Sequence, residues 1–304
     1  MNIILDAAIQ SDAVPETVVY EERQGVSLKM RVVKPEGWQA GDRRTALLWI
    51  HGGGWQGGSP DMFIPHARYF AVRGAVCFSV QYRLIGGADA PASSVRDCLA
   101  DCRSALRFIR GHASTWGIDP ERIAVIGDSA GGYLALAMQM VRDGDNDGNG
   151  EGSPDGIPDG RPSAYANAVI ACNGIADLTQ QWRKTAGLCD ESEAQPAMEE
   201  AAVEAWLARY GEARRLSPIY NVREGVPPLL ILHGLRDGTV AAEEAVRLYE
   251  AYKQVQSMTR LRLFADAKHA FILYNYTATV AQTEEALSEI DRFLSDLSFL
   301  PSIK

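Results

Sequence analysis

The sequence predicts an α/β fold, with a mostly parallel central sheet flanked by helices, and three observations carry that prediction. Strand candidates alternate with helix candidates along the chain, the pattern left by crossovers between parallel strands. Several strand candidates are continuous apolar runs, such as Ala46-Leu47-Leu48-Trp49-Ile50, as expected for strands covered on both faces. The third observation is the stretch Ile123-Ala124-Val125-Ile126-Gly127-Asp128-Ser129-Ala130-Gly131-Gly132. A β-branched run enters Gly-x-Ser-x-Gly, and an Ala/Leu/Met-rich helical pattern follows from Tyr133 to Val141. That order is strand, sharp turn, helix, with the hydroxyl of Ser129 pushed out at the strand's C-terminal end.

The elements follow in order. Thr17 to Glu22 and Ser27 to Val33 read as antiparallel strands around Gln24-Gly25, and Val76 to Tyr82 as a buried strand. Pro91 opens a helix to about Ala113, with Val95, Leu99, Cys102, Leu106 and Ile109 on one stripe. Gly117-Ile118-Asp119-Pro120 turns the chain into the Ser129 strand. Ala166 to Cys172 and Pro228 to His233 are further strands, Glu243 to Val255 a helix, Leu261 to Ala265 a short strand, and Val280 to Leu297 a terminal helix. The organisation expected is one domain over residues 1–304, interrupted by an acidic loop at 142–161 and a small cap segment at 176–222.

Bulk properties narrow the function classes. The chain has 304 residues, 46% hydrophobic and 23% charged, the balance of an ordinary globular protein with ample core. A net charge of −9, with no clustering of Lys and Arg, argues against nucleic acid as a partner. No apolar run approaches the roughly 20 residues of a membrane span. Met1 to Gln10 lacks a basic n-region, so no signal peptide is read, and the compartment and oligomeric state stay unassigned. The five cysteines, Cys77, Cys98, Cys102, Cys172 and Cys189, cannot all pair, and buried reduced thiols are expected.

A serine nucleophile needs a base available near neutral pH. Of five histidines, His269 sits late in the chain on a loop leaving a strand C-terminus, where a doubly wound sheet gathers its ligands. His51 reads as a residue holding the following glycine loop, His66 and His112 as surface or helix-end residues, and His233 as structural. The orienting carboxylate is expected between Ser129 and His269 in chain order. Asp237, just past the Pro228 to His233 strand, fits; it also reads as an N-cap for the helix beginning near Ala241. Asp266 competes, but three residues from His269 it is poorly placed to reach the ring from behind. Gly52-Gly53-Gly54 after a core strand offers backbone N–H groups with no side chain in the way, and the N–H of Ala130 completes a candidate oxyanion hole.

These motifs resemble serine esterases of the α/β-hydrolase superfamily, in particular the hormone-sensitive-lipase-like and the bacterial feruloyl/acetyl-xylan esterase-like families. The likeness rests on His51-Gly-Gly-Gly-Trp55, Gln81-Tyr82-Arg83-Leu84, Gly117-Ile-Asp-Pro120, Gly127-Asp-Ser-Ala-Gly-Gly132, His233-Gly-x-x-Asp237 and His269, and covers roughly residues 17 to 298. It implies the α/β-hydrolase fold with a small cap, a triad of Ser129, Asp237 and His269, and oxyanion donors Gly53, Gly54 and Ala130. It also implies an internal pair between Arg83 and Asp97. The chain departs from the pattern in three ways: no long helical cap precedes the first strands, Lys268 stands where relatives often have glycine, and the 142–161 loop is acidic.

That loop matches the first half of a calcium loop in two registers, Asp143-x-Asp145-x-Asp147-Gly148 and Asp145-x-Asp147-x-Asn149-Gly150. The twelfth position is Pro154 or Gly156 rather than a bidentate Glu, so a looser structural Ca2+ site of Asp143, Asp145, Asp147, Asn149 and Glu151 is the expectation; the alternative is a solvated loop. No cofactor is expected for catalysis. The expected activity is hydrolysis of short-chain acyl esters, small or carbohydrate-linked, with acetyl and feruloyl esters suggested by the resemblance, and Trp55 and Trp182 are candidate pocket walls. The alternatives are an amide hydrolase such as an arylformamidase, which shares the same machinery, and a non-catalytic ligand binder on the same fold.

Overall fold

The sheet is built outward from β3 (Arg44–Ile50), whose six residues from Thr45 to Ile50 are all buried. Alternate side chains go to opposite faces: Ala46, Leu48 and Ile50 enter one core, while Leu47 and Trp49 enter the other. The same division holds in β5 (Ile118–Asp128), with Ile123 and Val125 on one side and Ala124 and Ile126 on the other. Two covered faces explain why the strand sequences are apolar throughout rather than alternating. The computed structural model describes residues 14–88, 93–140, 162–180, 212–274 and 276–302.

Eight strands among the described residues form one sheet in the order β1-β2-β4-β3-β5-β6-β7-β8. They are β1 (Glu16–Arg23), β2 (Val26–Val33), β3, β4 (Val76–Val80), β5, β6 (Ala168–Cys172), β7 (Leu229–Gly234) and β8 (Thr259–Phe264). The β1–β2 and β2–β4 pairs are antiparallel, and all pairs from β4 to β8 are parallel. The described helices are α1 (Ile64–Val72), α2 (Val95–Gly111), α3 (Ala130–Ala137), α4 (Ala242–Gln254) and α5 (Val280–Asp296). Residues of α2, α3 and α4 pack into the first core and those of α1 and α5 into the second, so helices cover both faces.

Most expected elements fall within a few residues of their observed ends. The helix expected from Pro91 begins at Val95, where the Asp97 carboxylate accepts the Ser94 N–H at 2.9 Å and its hydroxyl at 2.7 Å. The helix after the elbow runs from Ala130 to Ala137, starting earlier than its apolar pattern suggested because the turn itself supplies the first residues. One expectation needs correcting, and one is extended. His66 is fully buried, with Nε2 donating to the Ile272 carbonyl at 2.7 Å and its ring against Trp49 and Phe63, because α1 is buried on most of its surface. Arg83 pairs with Asp97 at 3.3 Å, as the resemblance implied, and also with Asp101 through two 2.8 Å contacts; Asp97 is shared with the cap of α2. The acidic loop, most of the cap segment, Cys189 and Trp182 lie outside the described residues.

Candidate active site

The C-terminal ends of the parallel strands bring the candidate residues together. Ser129 follows β5 with φ 54° and ψ −119°, a backbone conformation rare for a residue bearing a side chain. The turn is so tight that a methyl at Gly127 would lie 2.1 Å from the Gly131 carbonyl, and one at Gly131 would lie 2.1 Å from the Ile50 carbonyl. Only glycine fits at either flank, which is the physical content of the Gly-x-Ser-x-Gly spacing. The Ser129 N–H donates to the Cys172 carbonyl at 2.9 Å, fixing the elbow to β6.

His269 leaves the loop after β8 with Nε2 at 2.8 Å from Ser129 Oγ and Nδ1 at 2.7 Å from Asp237 Oδ2. One tautomer satisfies both contacts: Nδ1–H donates to the carboxylate, and Nε2 is left to accept the serine proton. Asp237 hangs from the exit of β7, and its Oδ1 accepts the N–H groups of Thr239 at 2.8 Å and Val240 at 2.9 Å. It does not cap the following helix, whose N-cap is Ala241. Burial alone would raise the Asp237 pKa, but hydrogen bonding to the His233 and His269 imidazoles and the Val240 N–H more than offsets it. The carboxyl is held well below the usual range. The competitor Asp266 is exposed and paired with Arg236 at 2.7 Å, and Lys268 is exposed on the rim.

The glycine loop leaves β3 beside the elbow. Gly53 has φ +114°, and a methyl there would sit 2.3 Å from the Gly57 carbonyl, so the loop closes only around glycine. Gln56 and Gly57 return their N–H groups to the Gly53 carbonyl at 3.1 and 3.0 Å. Among the described residues, no acceptor takes the backbone N–H of Gly53, Gly54 or Ala130. His51 holds the loop's start, with Nδ1 donating to the Gly52 carbonyl at 2.8 Å and its ring stacked 4.3 Å from that of Tyr82. Burial lowers the His51 pKa to about 4, and the Gly52 carbonyl opposes that only in part, so this imidazole is neutral at neutral pH. Trp55, at the loop's far end, sets its ring edge-on to Tyr133 at 5.5 Å. A cavity of about 170 Å³ lined by His51, Gly58, Tyr82 and Leu84 opens beside this loop, but Ser129 is not in its wall.

Two residues around this constellation, Asp128 and Asn173, were given no role by sequence. Asp128 is 1% exposed beneath the elbow, and Asn173 donates to it at 3.2 Å. Burial raises the Asp128 pKa to about 6; opposite charge on His269 and His233 and the Asn173 bond lower it, and Asp237 raises it. His233, read as structural, donates from Nε2 to the Val240 carbonyl at 3.0 Å and lies 3.4 Å from Asp237 Oδ2. Asp128 was visible inside the motif as its variable position, whereas Asn173 follows a strand with no spacing signal. The expected calcium ligands Asp143, Asp145, Asp147, Asn149 and Glu151, and the pocket candidate Trp182, lie outside the described residues. Among the described residues no three or more His, Cys, Asp or Glu side chains group as metal ligands, and no helix is long and apolar enough to cross a membrane.

Comparison with known proteins gives three kinds of match. The BD-FAE family model matches residues 34–252. Carboxylesterase NlhH of Mycobacterium tuberculosis is 41% identical over 104 residues, covering 34% of this chain and 31% of that protein. The probable carboxylic ester hydrolase LipM of the same organism is 26% identical over 261 residues, 83% of this chain and 54% of that protein. The chain thus spans about a third to a half of the length of these curated relatives. Among solved structures, the thermophilic esterase Est2 of Thermogutta terrifontis with propionate bound superposes with a TM-score of 0.78 at 34% identity, over 95% of this chain and 97% of that one. The same esterase has been solved with butyrate bound and phosphorylated by paraoxon, the latter matching at a TM-score of 0.75 and 32% identity over 96% and 98% of the two chains.

Proposed function

This chain belongs to the BD-FAE family, and on that premise we propose that it is a serine carboxylesterase acting on short-chain acyl esters through an acyl-enzyme on Ser129. The observation that carries the reading is the unbroken line from Ser129 Oγ to His269 Nε2 at 2.8 Å and from His269 Nδ1 to Asp237 Oδ2 at 2.7 Å. Ser129 attacks the ester carbonyl while His269 takes its proton, and Asp237 orients the ring and stabilises the imidazolium. The N–H groups of Gly53, Gly54 and Ala130 receive the oxyanion; Ala130 is the first residue of α3, whose dipole is positive at that end. His269 then protonates the leaving alcohol, and water repeats the sequence on the acyl-enzyme. Each step is accounted for by the chain's own side chains and backbone.

Support for short acyl groups comes from the Est2 structures holding propionate and butyrate. Trp55, beside the oxyanion loop and braced on Tyr133, supplies an apolar wall for such a group. Paraoxon tests the nucleophile. Intact-mass and peptide analysis should place one diethylphosphoryl group on Ser129, and Ser129→Ala should take no label and lose roughly 10³-fold or more of p-nitrophenyl acetate turnover. Turnover that survives in Ser129→Ala overturns the assignment. A p-nitrophenyl series from acetate to palmitate should peak between acetate and butyrate, and a maximum at long chains removes the short-acyl reading. Methyl ferulate and acetylated xylan assayed alongside it separate phenolic from acetyl preference.

A further inference from the structure

Asp128 is a buried carboxylate that the acyl-transfer steps do not use. It ends β5 and precedes Ser129. Its Oδ1 accepts from Asn173 Nδ2 at 3.2 Å. Asn173 is itself fully buried just beyond β6 with φ 47°, and donates its N–H to the Leu232 carbonyl at 2.8 Å. Its Oδ1 takes the Gly234 N–H at 3.4 Å, at the strand exit from which Asp237 hangs. A single amide therefore ties the floor of the serine to the base of the Asp237 loop. The other Asp128 oxygen lies against the glycine loop: a methyl on Gly52 would meet Asp128 Oδ2 at 3.1 Å and Ser129 Cβ at 3.1 Å.

The charges acting on Asp128 are those of His269, Asp237 and His233, and the Cys172 thiol and Tyr82 phenol also feel it. Among the described residues acting on it there is no permanent cation. A carboxylate buried without one is costly to keep ionised, and that cost falls when a positive charge forms nearby. Under the proposed mechanism such a charge forms on His269 at each attack by Ser129 and disappears when the leaving group is protonated.

We propose that Asp128 is a positioning residue of the esterase, held by Asn173 beneath the elbow and acting through His269 to favour the imidazolium formed as Ser129 attacks. The proposal rests on the Ser129–His269–Asp237 reading. It places two carboxylates around one imidazole: Asp237 bonded to Nδ1, and Asp128 acting across space from below.

Asp128→Asn keeps the shape and an acceptor for Asn173 but removes the charge. The expected result is about a tenfold fall in kcat/KM for p-nitrophenyl acetate at pH 8, carried by kcat more than by KM. The acidic limb of the pH profile should also move to lower pH by about one unit. The sign follows from electrostatics, since an imidazole that has lost a nearby negative charge needs more acid to be protonated. A variant within twofold of the parent, with an unmoved limb, overturns the proposal. Should the variant not fold, Asn173→Ser decides, because it removes the amide that holds Asp128 in place. Its kcat/KM should fall several-fold with the acidic limb moved to lower pH, and an unchanged rate and limb overturn the proposal. Ser129→Ala separates the two readings. If that variant stays active, the triad assignment falls and this proposal with it. If it is dead while Asp128→Asn is unchanged in rate and profile, this proposal alone falls.

Discussion

Asp128 and Asp237 are two carboxylates of one site, both shielded from solvent, and their surroundings drive them in opposite directions. Asp237 accepts two backbone N–H groups and the His269 imidazole, with His233 close by, and so is held well below the usual carboxylate range. Asp128 has one amide donor and more complete burial, and its pKa is pushed up to about 6. The difference teaches that burial alone does not decide a carboxyl group's charge; the number of donors pointed at it does. Asp237 is built to be an anion at all times, whereas Asp128 is ionised at neutral pH only against its surroundings.

The largest test of the contrast is Asp237→Asn. The amide fits the same space, but it can present its NH2 to His269 and so favour the wrong ring tautomer. Under the proposed mechanism kcat should fall by roughly 10⁴, far beyond the tenfold expected at Asp128. Steady-state kinetics on p-nitrophenyl acetate measure both. Equal losses at the two positions would erase the distinction between an orienting carboxylate and a distant one.

Stability should separate them again, with opposite signs. The Asp237 pKa is depressed in the folded state, so its contribution to stability is present above the unfolded carboxylate value and is lost as pH falls below it. The Asp128 pKa is raised to about 6 from 3.8, so the folded protein favours its protonated form. Stability from this group is fullest below about pH 4 and declines as pH rises through about 6. From that shift, the ionised group costs on the order of 3 kcal/mol above pH 6 as an upper figure. Thermal melts should therefore show Asp128→Asn several degrees more stable than the parent at pH 7.5, with the gap closing below pH 4. Asp237→Asn should be less stable than the parent at pH 7.5. An Asp128→Asn variant that is less stable at neutral pH would show that the carboxylate is better solvated than its burial implies.

The sequence made the candidate reacting groups legible because each sits at a strand exit where residue type alone points to the chemistry. Ser129 between glycines, the run Gly52-Gly53-Gly54, Asp237 after His233-Gly234, and His269 after the last strand are all local signals. What stayed hidden depends on packing between distant segments. His66 read as a surface residue because α1 is short and buried on most sides, leaving no polar stripe to mark the outer face. Asp97, implied as the partner of Arg83, does pair with it at 3.3 Å, but Asp101, one turn further along α2, pairs more closely through two 2.8 Å contacts, which no local pattern marked. Asp128 stood in plain view inside the motif, but its surroundings come from β6 and the glycine loop, which no local pattern shows.

The smallest expected effect concerns the other acid near His269. Asp266 is only three residues from the histidine, yet its side chain is 71% exposed and pairs with Arg236, itself 65% exposed, at 2.7 Å. Exposed pairs of this kind contribute about 0–1 kcal/mol, and added salt screens them. Nothing joins Asp266 to the imidazole, whose Nδ1 is already bonded to Asp237. Asp266→Ala should therefore keep kcat/KM within twofold of the parent, with an unmoved pH profile and a melting temperature within about 1 °C. Half-molar salt should shrink even that difference. A tenfold or larger loss of kcat from this variant would mean that the loop after β8 turns its own acid toward the ring in solution. The pairing of His269 with Asp237, and the ranking of three carboxylates built on it, would then have to be redrawn.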